Sequence, residues 1–333
     1  MEISNTDKSN MKQVIIDSPL QIKDGLDLAK NINIENNFSN VIICGIGGSA
    51  LPGDILNTIV NAPIPISLHR SYNLPTQANE KSLVICISYS GNTEEPLSAL
   101  QEAITRKLPI ICMASGGQIE MLCLKNNIPF VKIPSGIQPR SATGYIFSAL
   151  VKILANAKII DDMSSEILRT SKQLQEINTS LENEGNKLAK KLSKKIPVIY
   201  SSDSLKNLAM VWKIKFNENS KIPAFYNYFP ELNHNEMVGY TGLKKLGIKN
   251  FFVIILQDKS EHPRILKRME LTTNIIKKSG AKVEIIGIKD GSPLFKIFSS
   301  LLLGDWVSYY LAMENDTDPT PVSMVEEFKK LMQ

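Results

Sequence analysis

Short apolar, β-branched runs alternate along the first half of the chain with stretches whose apolar residues recur at helical spacing. Residues 41–44, 64–68, 83–87, 109–113 and 129–133 read as strands. Helices are expected after the first of them to about residue 60, then over 94–106, 118–125 and 144–156. Strands alternating with helices predict parallel βαβ units and a sheet covered on both faces.

The pattern changes over 161–195. Leu174, Ile177, Leu181, Leu188 and Leu192 recur at helical spacing in a polar background, the signature of a long amphipathic connector. Gly185 marks an expected kink or break within it. The second half then begins as the first did, with a strand at 197–201, the serine-rich turn Ser201-Ser202-Asp203-Ser204 and a helix at 205–217. Strands at 251–256 and 282–288 flank a helix at 263–279, and helices follow at 295–313 and 321–332. The expectation is an α/β chain of two αβα sandwich domains in tandem, 1–157 and 196–333, joined by a helical connector over 158–195.

Composition narrows the classes. Of 333 residues 43% are hydrophobic and 21% charged, which excludes whole-chain disorder and leaves enough apolar material for a sizeable core. Lysine and arginine total 38 against 33 acidic residues, a net charge of +5. The basic residues are scattered apart from Lys190, Lys191, Lys194 and Lys195, so no nucleic-acid partner is expected; a small anionic substrate suits the balance. Cys44, Cys86 and Cys112 each sit in an apolar run and read as buried free thiols, a reducing-compartment pattern. No run approaches membrane-spanning length and no signal-type apolar region opens the chain, so the expected compartment is the cytoplasm, with no membrane partner.

Two loops carry the strongest chemical signal. Gly45-Ile46-Gly47-Gly48-Ser49 and Ser88-Tyr89-Ser90-Gly91-Asn92-Thr93 each follow a strand and open a helix. A helix N-terminus presents free N–H groups and partial positive charge, so it binds anions; glycine lets the backbone come close. Hydroxyls at Ser88, Ser90 and Thr93 suit the oxygens of one phosphate. The competing local reading is simple capping, with Ser90 or Asn92 as the cap and Glu94 and Glu95 favouring the dipole. The glycine loop lacks the spacing of a dinucleotide fingerprint and has no Walker lysine, so a phosphoester is favoured over a nucleotide.

The pair Cys-Gly-Ile-Gly-Gly-Ser and Ser-Tyr-Ser-Gly-Asn-Thr-Glu-Glu resembles a sugar isomerase (SIS) domain. Further stretches resemble the bifunctional phosphoglucose/phosphomannose isomerase family: Asn217-Glu218-Asn219-Ser220-Lys221, Phe229-Pro230-Glu231-Leu232-Asn233-His234-Asn235-Glu236, the segment from Pro134 to Ala142, and Pro319-Thr320-Pro321-Val322 with Phe328-Lys329. The resemblance covers nearly the whole chain from about residue 15. It implies SIS-type domains and interconversion of glucose 6-phosphate or mannose 6-phosphate with fructose 6-phosphate, with no metal and no cofactor.

The chemistry such a reaction needs can be assigned to residue types. Moving a proton between adjacent carbons through a cis-enediol takes one carboxylate within reach of both. The resemblance puts that base at Glu218, which on local grounds alone is a solvated helix-terminal glutamate. His234 can open the sugar ring because its pKa lies near neutrality; its local alternatives are a loop histidine or a metal ligand with Glu231 and Glu236. Arg140 offers a fixed cationic fork to an enediolate oxygen. Lys329 is the implied C-terminal active-site lysine, locally an ordinary favourable charge at a helix end. Gly48, Ser49, Ser88, Ser90 and Thr93 are the expected phosphate and hydroxyl ligands. His69 and His262 are expected to be structural or surface residues. The resemblance further implies a homodimer whose active site is shared, and the aromatic run 225–229 is expected to be an arm packed on another surface. The competing class is a sugar-phosphate sensor that binds through the same domains without chemistry.

Overall fold

The computed structural model describes residues 6–34, 37–242 and 247–332. They fall into two compact units, Asp17–Gln175 and a second made of Glu176–Gln333 with the segment up to Ile16. All sheet pairings in both units are parallel.

In the unit Asp17–Gln175, five strands run β1 (Asn40–Cys44), β2 (Ile66–His69), β3 (Ser82–Ile87), β4 (Ile110–Ala114) and β5 (Phe130–Lys132), in the spatial order β2-β1-β3-β4-β5. Every residue of β1, β3 and β4 is buried, which is why their sequences are continuously apolar rather than alternating. Helices α2 (Leu51–Ile59), α3 (Glu94–Thr105), α4 (Gly117–Asn126) and α5 (Thr143–Asn156) connect and cover them. One core cluster joins Ile42, Val84 and Cys112 of the sheet to Leu97 and Leu100 of α3 and Ile119 of α4. Cys44, Cys86, Cys112 and Cys123 are buried free thiols, as the apolar runs around the first three predict, and hydrogen bonding from each to the next, with burial, raises the first three above the usual thiol range.

The second unit repeats the plan with β6 (Ile196–Ser202), β7 (Phe225–Phe229), β8 (Phe251–Gln257) and β9 (Lys282–Gly287), ordered β7-β6-β8-β9. Its main helices are α7 (Lys206–Glu218), α9 (Pro263–Ser279), α10 (Pro293–Glu314) and α11 (Ser323–Leu331), with a single turn α8 (Glu236–Gly239). The aromatic run 225–229 is not an arm: it is the edge strand β7, paired in register with β6 from Val198↔Phe225 to Ser202↔Phe229. Its sequence is explained by that place, since Phe229 is wholly buried while Phe225 at the outer end is exposed.

Two helices cross the division between units. α1 (Met11–Leu28) lies where the sequence pattern assigns no element, because Pro19 interrupts it; Met11, Ile15, Ile22 and Leu26 nonetheless recur at helical spacing and are buried. The connector is one unbroken helix, α6 (Ser164–Leu192), so Gly185 marks no break between two helices. A Cβ at Gly185 would lie 2.5 Å from the Cβ of Trp306, so glycine serves there to let α6 approach α10. No described helix is long and apolar enough to cross a membrane.

Candidate active site

In the first sheet the strand order reverses between β1 and β3. The connections after these two neighbours leave in opposite directions and open a crevice at their C-terminal ends, the position where doubly wound sheets hold ligands. Cys44 and Cys86 are register partners, so Gly45–Ser49 and Ser88–Thr93 emerge side by side. Each glycine and hydroxyl expected at the phosphate is found here.

The two loops are cross-linked. Tyr89 N–H donates to Ser49 Oγ at 2.9 Å, so the Ser49 hydroxyl, only 6% exposed, ties loop to loop. Gly48 sits against the turn Pro139–Ser141, where a Cβ would lie 2.6 Å from the Arg140 nitrogen; no other residue fits. That contact brings Arg140 beside the glycine loop. Its side chain is 2% exposed and donates to Gln138 Oε1 at 3.3 Å, while Thr143 Oγ1 donates to its carbonyl.

The three hydroxyls of the second loop divide their work. Ser88 is fully buried: its Oγ accepts from Gly91 N–H at 3.1 Å and Thr93 N–H at 3.4 Å and shares a hydrogen bond with Thr93 Oγ1 at 2.8 Å. It builds the turn from within. Ser90 is exposed and Thr93 half-buried at the rim. The capping alternative does not hold, because the cap of α3 is Thr93 and it makes no side-chain cap bond. Asn92 instead accepts from Gln118 N–H at 3.0 Å, at the start of α4. The first turn of α3 therefore keeps N–H groups that no side-chain cap satisfies, the feature an anion site needs.

Tyr89 is the organiser that residue-type reasoning passes over. Besides its N–H bond to Ser49, its carbonyl accepts from Ser115 N–H and Oγ, and its hydroxyl donates to Pro134 O at 2.9 Å. Its location inside the Ser88–Thr93 motif was the available signal; its partners lie 40, 26 and 45 residues away.

Glu218, His234 and Lys329 belong to the other unit, on three separate elements. Glu218 is the last residue of α7 and half-buried. The residues around it are pinned one by one. Asn217 Nδ2 donates to Ile222 O at 2.9 Å, Asn219 Nδ2 to Ser308 Oγ at 2.9 Å, and Ser220 Oγ to Ser308 O at 2.7 Å. Lys221, in the left-handed conformation that ends the helix, donates through Nζ to the Glu218 and Pro319 carbonyls.

His234 closes the 3-10 turn Glu231–Asn233 and its ring is exposed. Around it, Glu236 accepts from Tyr200 OH and from Asn227 Nδ2, each at 2.5 Å, and Glu231 accepts from Asn235 at 2.7 Å. The two carboxylates that sequence spacing offered to a metal are thus committed to fixing the loop. Behind them Tyr240 shares a 2.8 Å bond with Tyr200, and burial pushes its hydroxyl up to about 12. Lys329 lies in the last turn of α11, exposed, on a helix with no buried residue: Val325 and Phe328, its apolar frame in sequence, are 46% and 62% exposed. His262 caps α9 by accepting from Arg264 N–H at 3.1 Å, and His69 meets Tyr72 O at 3.4 Å; both are structural.

Comparison with known proteins adds the lineage. A model of the bacterial phospho-glucose isomerase C-terminal SIS domain matches residues 181–332, which together with the parallel sheets defines a SIS-type α/β protein. Among solved structures, the C-terminal domain of glucosamine-fructose-6-phosphate aminotransferase from Francisella tularensis resembles the chain with a TM-score of 0.67 at 16% identity, over 93% of this chain and 97% of that one. At that identity the likeness speaks for the fold. The bifunctional phosphoglucose/phosphomannose isomerase of Caldicellulosiruptor bescii is 37% identical over 333 residues, 96% of this chain and 98% of that protein. The D-glucosamine-6-phosphate 4-epimerase of Sulfolobus acidocaldarius is 33% identical over 220 residues, 65% of this chain and 68% of that protein. The chain belongs to the bifunctional phosphoglucose/phosphomannose isomerase family.

Proposed function

We propose that this protein, built from two SIS-type domains in tandem, is an aldose–ketose isomerase that interconverts glucose 6-phosphate and mannose 6-phosphate with fructose 6-phosphate. The observation that carries the reading is the crevice between β1 and β3, where two cross-linked serine–glycine loops adjoin a helix N-terminus without a side-chain cap. A dianionic phosphoester is the ligand such a place accepts.

The roles follow from the chemistry of each group. Thr93, Ser90 and the first N–H groups of α3 hold the phosphate; Ser88, Ser49 and Gly48 shape the loops that present them. Glu218 removes the proton from C2 and returns it to C1, or the reverse, through a cis-enediol. Arg140, a buried cation beside the glycine loop, stabilises the enediolate oxygen. His234, with Lys329, moves the proton that opens and closes the ring. A single base serves both C2 epimers when the pocket accepts either configuration, so that either face of the planar enediol can meet the carboxylate. Neither metal nor nucleotide is required. Buried free thiols suit a cytoplasmic setting.

The functional assembly in this proposal is a homodimer with a shared active site, His234 acting on the partner's substrate. Glu218→Gln and His234→Ala proteins, each expected to be nearly inactive, should partly regain activity when unfolded and refolded together; mixed dimers that form without activity would confine His234 to its own chain.

The decisive test is a coupled assay on glucose 6-phosphate and mannose 6-phosphate with EDTA present. Turnover of both is expected. Tight binding without turnover would make the chain a sensor, and inversion at C4 of glucosamine 6-phosphate in place of isomerisation would align it with the epimerase relative instead.

A further inference from the structure

The helix that ends at Glu218 is joined to α10 by a buried polar seam. Trp212 Nε1 donates to Ser300 O at 3.0 Å, and its indole lies against Gly304. One turn on, Lys215 pairs with Asp305. At the end of the helix, Asn219 and Ser220 both bond to Ser308, whose own Oγ donates to Asp305 O at 3.0 Å. Lys215 is 4% exposed, Asn219 2%, Ser220 1% and Ser308 0%.

Such a seam is a poor device for stability. Leucines at these positions would hold two helices together as well, without the desolvation cost of a buried ion pair. What directional bonds add is a single rotation and register of one helix on the other, because every donor must meet its acceptor. The two bonds to Ser308 come from the two residues that follow Glu218 directly, so they fix the backbone that carries its carboxylate. Lys221 secures the far side, through its bonds to the Glu218 and Pro319 carbonyls.

We infer that Ser308 is a positioning residue: through Asn219 and Ser220 it sets the place of the Glu218 carboxylate for proton transfer, and it takes no part in binding substrate. The inference rests on Glu218 being the base. A base that serves two adjacent carbons has a small geometric tolerance, and displacement of about 1 Å costs a reaction of this kind up to roughly a hundredfold.

The test compares Asn219→Ala and Ser308→Ala, which delete the Asn219–Ser308 bond from opposite ends, the latter together with the Ser308 bond to Asp305 O, with the double variant and with Tyr310→Phe. The last removes a 2.6 Å bond from α10 to Glu182 and serves as a control for loss of helix anchoring. For each protein kcat, KM, Tm and the fraction of C2 hydrogen carried to C1 rather than lost to solvent are measured. Asn219→Ala and Ser308→Ala are expected to lower kcat about tenfold or more with KM within about twofold, and to lower the carried fraction. The double variant should be no worse than about twofold below either single one, since both remove the same bond. Tyr310→Phe should lower Tm and leave kcat and the carried fraction alone. Seam variants with unchanged kcat and carried fraction, beside an inactive Glu218→Gln protein, would overturn the inference and leave the base standing. An active Glu218→Gln protein would remove the base and the inference together.

Discussion

The two units place a crevice at the same point of the same strand order and fill it differently. In Asp17–Gln175 the order reverses between β1 and β3; in the second unit it reverses between β6 and β8. Serine-rich turns follow β3 and β6 alike. In the second unit, however, the turn is answered from within. Glu261 accepts from Ser204 Oγ at 2.7 Å, and Ser204 shares a 2.8 Å bond with Ser202. Lys296 bonds both Asp258 oxygens, at 2.8 and 3.0 Å, and Ser260 Oγ at 2.8 Å. His262 caps the helix that follows. The hydroxyls of this turn are thus engaged by a carboxylate of the same unit. In the first unit Thr93 leaves the start of α3 without a side-chain cap and Ser90 exposes its hydroxyl to solvent. Topology therefore supplies the same reversal twice, and the side chains around it differ: the second unit's turn bonds to its own carboxylate, whereas the start of α3 has no side-chain cap.

The largest effect expected from breaking this contrast comes from Gly48→Val. Its side chain would strike the Arg140 backbone, separating the glycine loop from the arginine, and kcat/KM should fall by about two orders of magnitude or more as the reacting groups are displaced. Circular dichroism that shows an intact fold with near-normal activity would refute the coupling of loop to Arg140.

Next comes Thr93→Val, set against Ser204→Ala. A lost bond to a charged ligand is worth about 1.5–3 kcal/mol, so KM should rise by roughly ten- to a hundredfold for Thr93→Val. Ser204→Ala, at the turn after β6 beside the second unit's crevice, should leave KM where it was. Equal effects in the two variants would mean that both crevices take part in binding.

The smallest effect is on acid stability. Burial disfavours the Glu261 carboxylate, but the Ser202, Ser204 and His262 donors outweigh it and hold the group below its usual 4.5. Asp258 is likewise held below its usual 3.8, where burial is outweighed by Lys296 and Ser260. A depressed folded-state pKa contributes stability that is complete above the unfolded value and is lost as pH falls through the folded one. Unfolding monitored from pH 6 downward should therefore show stability falling from about pH 5. Glu261→Gln should flatten part of that slope and leave substrate KM at pH 7 unchanged. A slope identical to the unmodified protein's would show that Glu261 ionises alike in both states.

Most of the framework is legible in the residues because its causes are local. Unbroken apolar runs such as Val41–Cys44 can only be buried strands, and the glycine–serine turns behind them announce close backbone approach. What is not legible depends on partners distant in sequence. Phe225–Phe229 reads as an aromatic arm packed on another surface until its pairing with β6 makes it an edge strand. Gly185 reads as a breaker until Trp306 is seen to need its missing side chain. Ser88 reads as a ligand for phosphate, yet its hydroxyl turns inward to the amides of Gly91 and Thr93. Glu218 looks like any helix-terminal glutamate; the bonds from its neighbours to Ser308, almost ninety residues on, mark it as held in place.

In the proposed mechanism, substrate phosphate binds in the first crevice and not the second. A crystal of the Glu218→Gln protein soaked with fructose 6-phosphate tests it directly. The phosphate should lie against Ser90, Thr93 and the first amides of α3, with the Ser202–Ser204 turn still closed on Glu261. Phosphate density at that second turn, or away from both, would contradict the account.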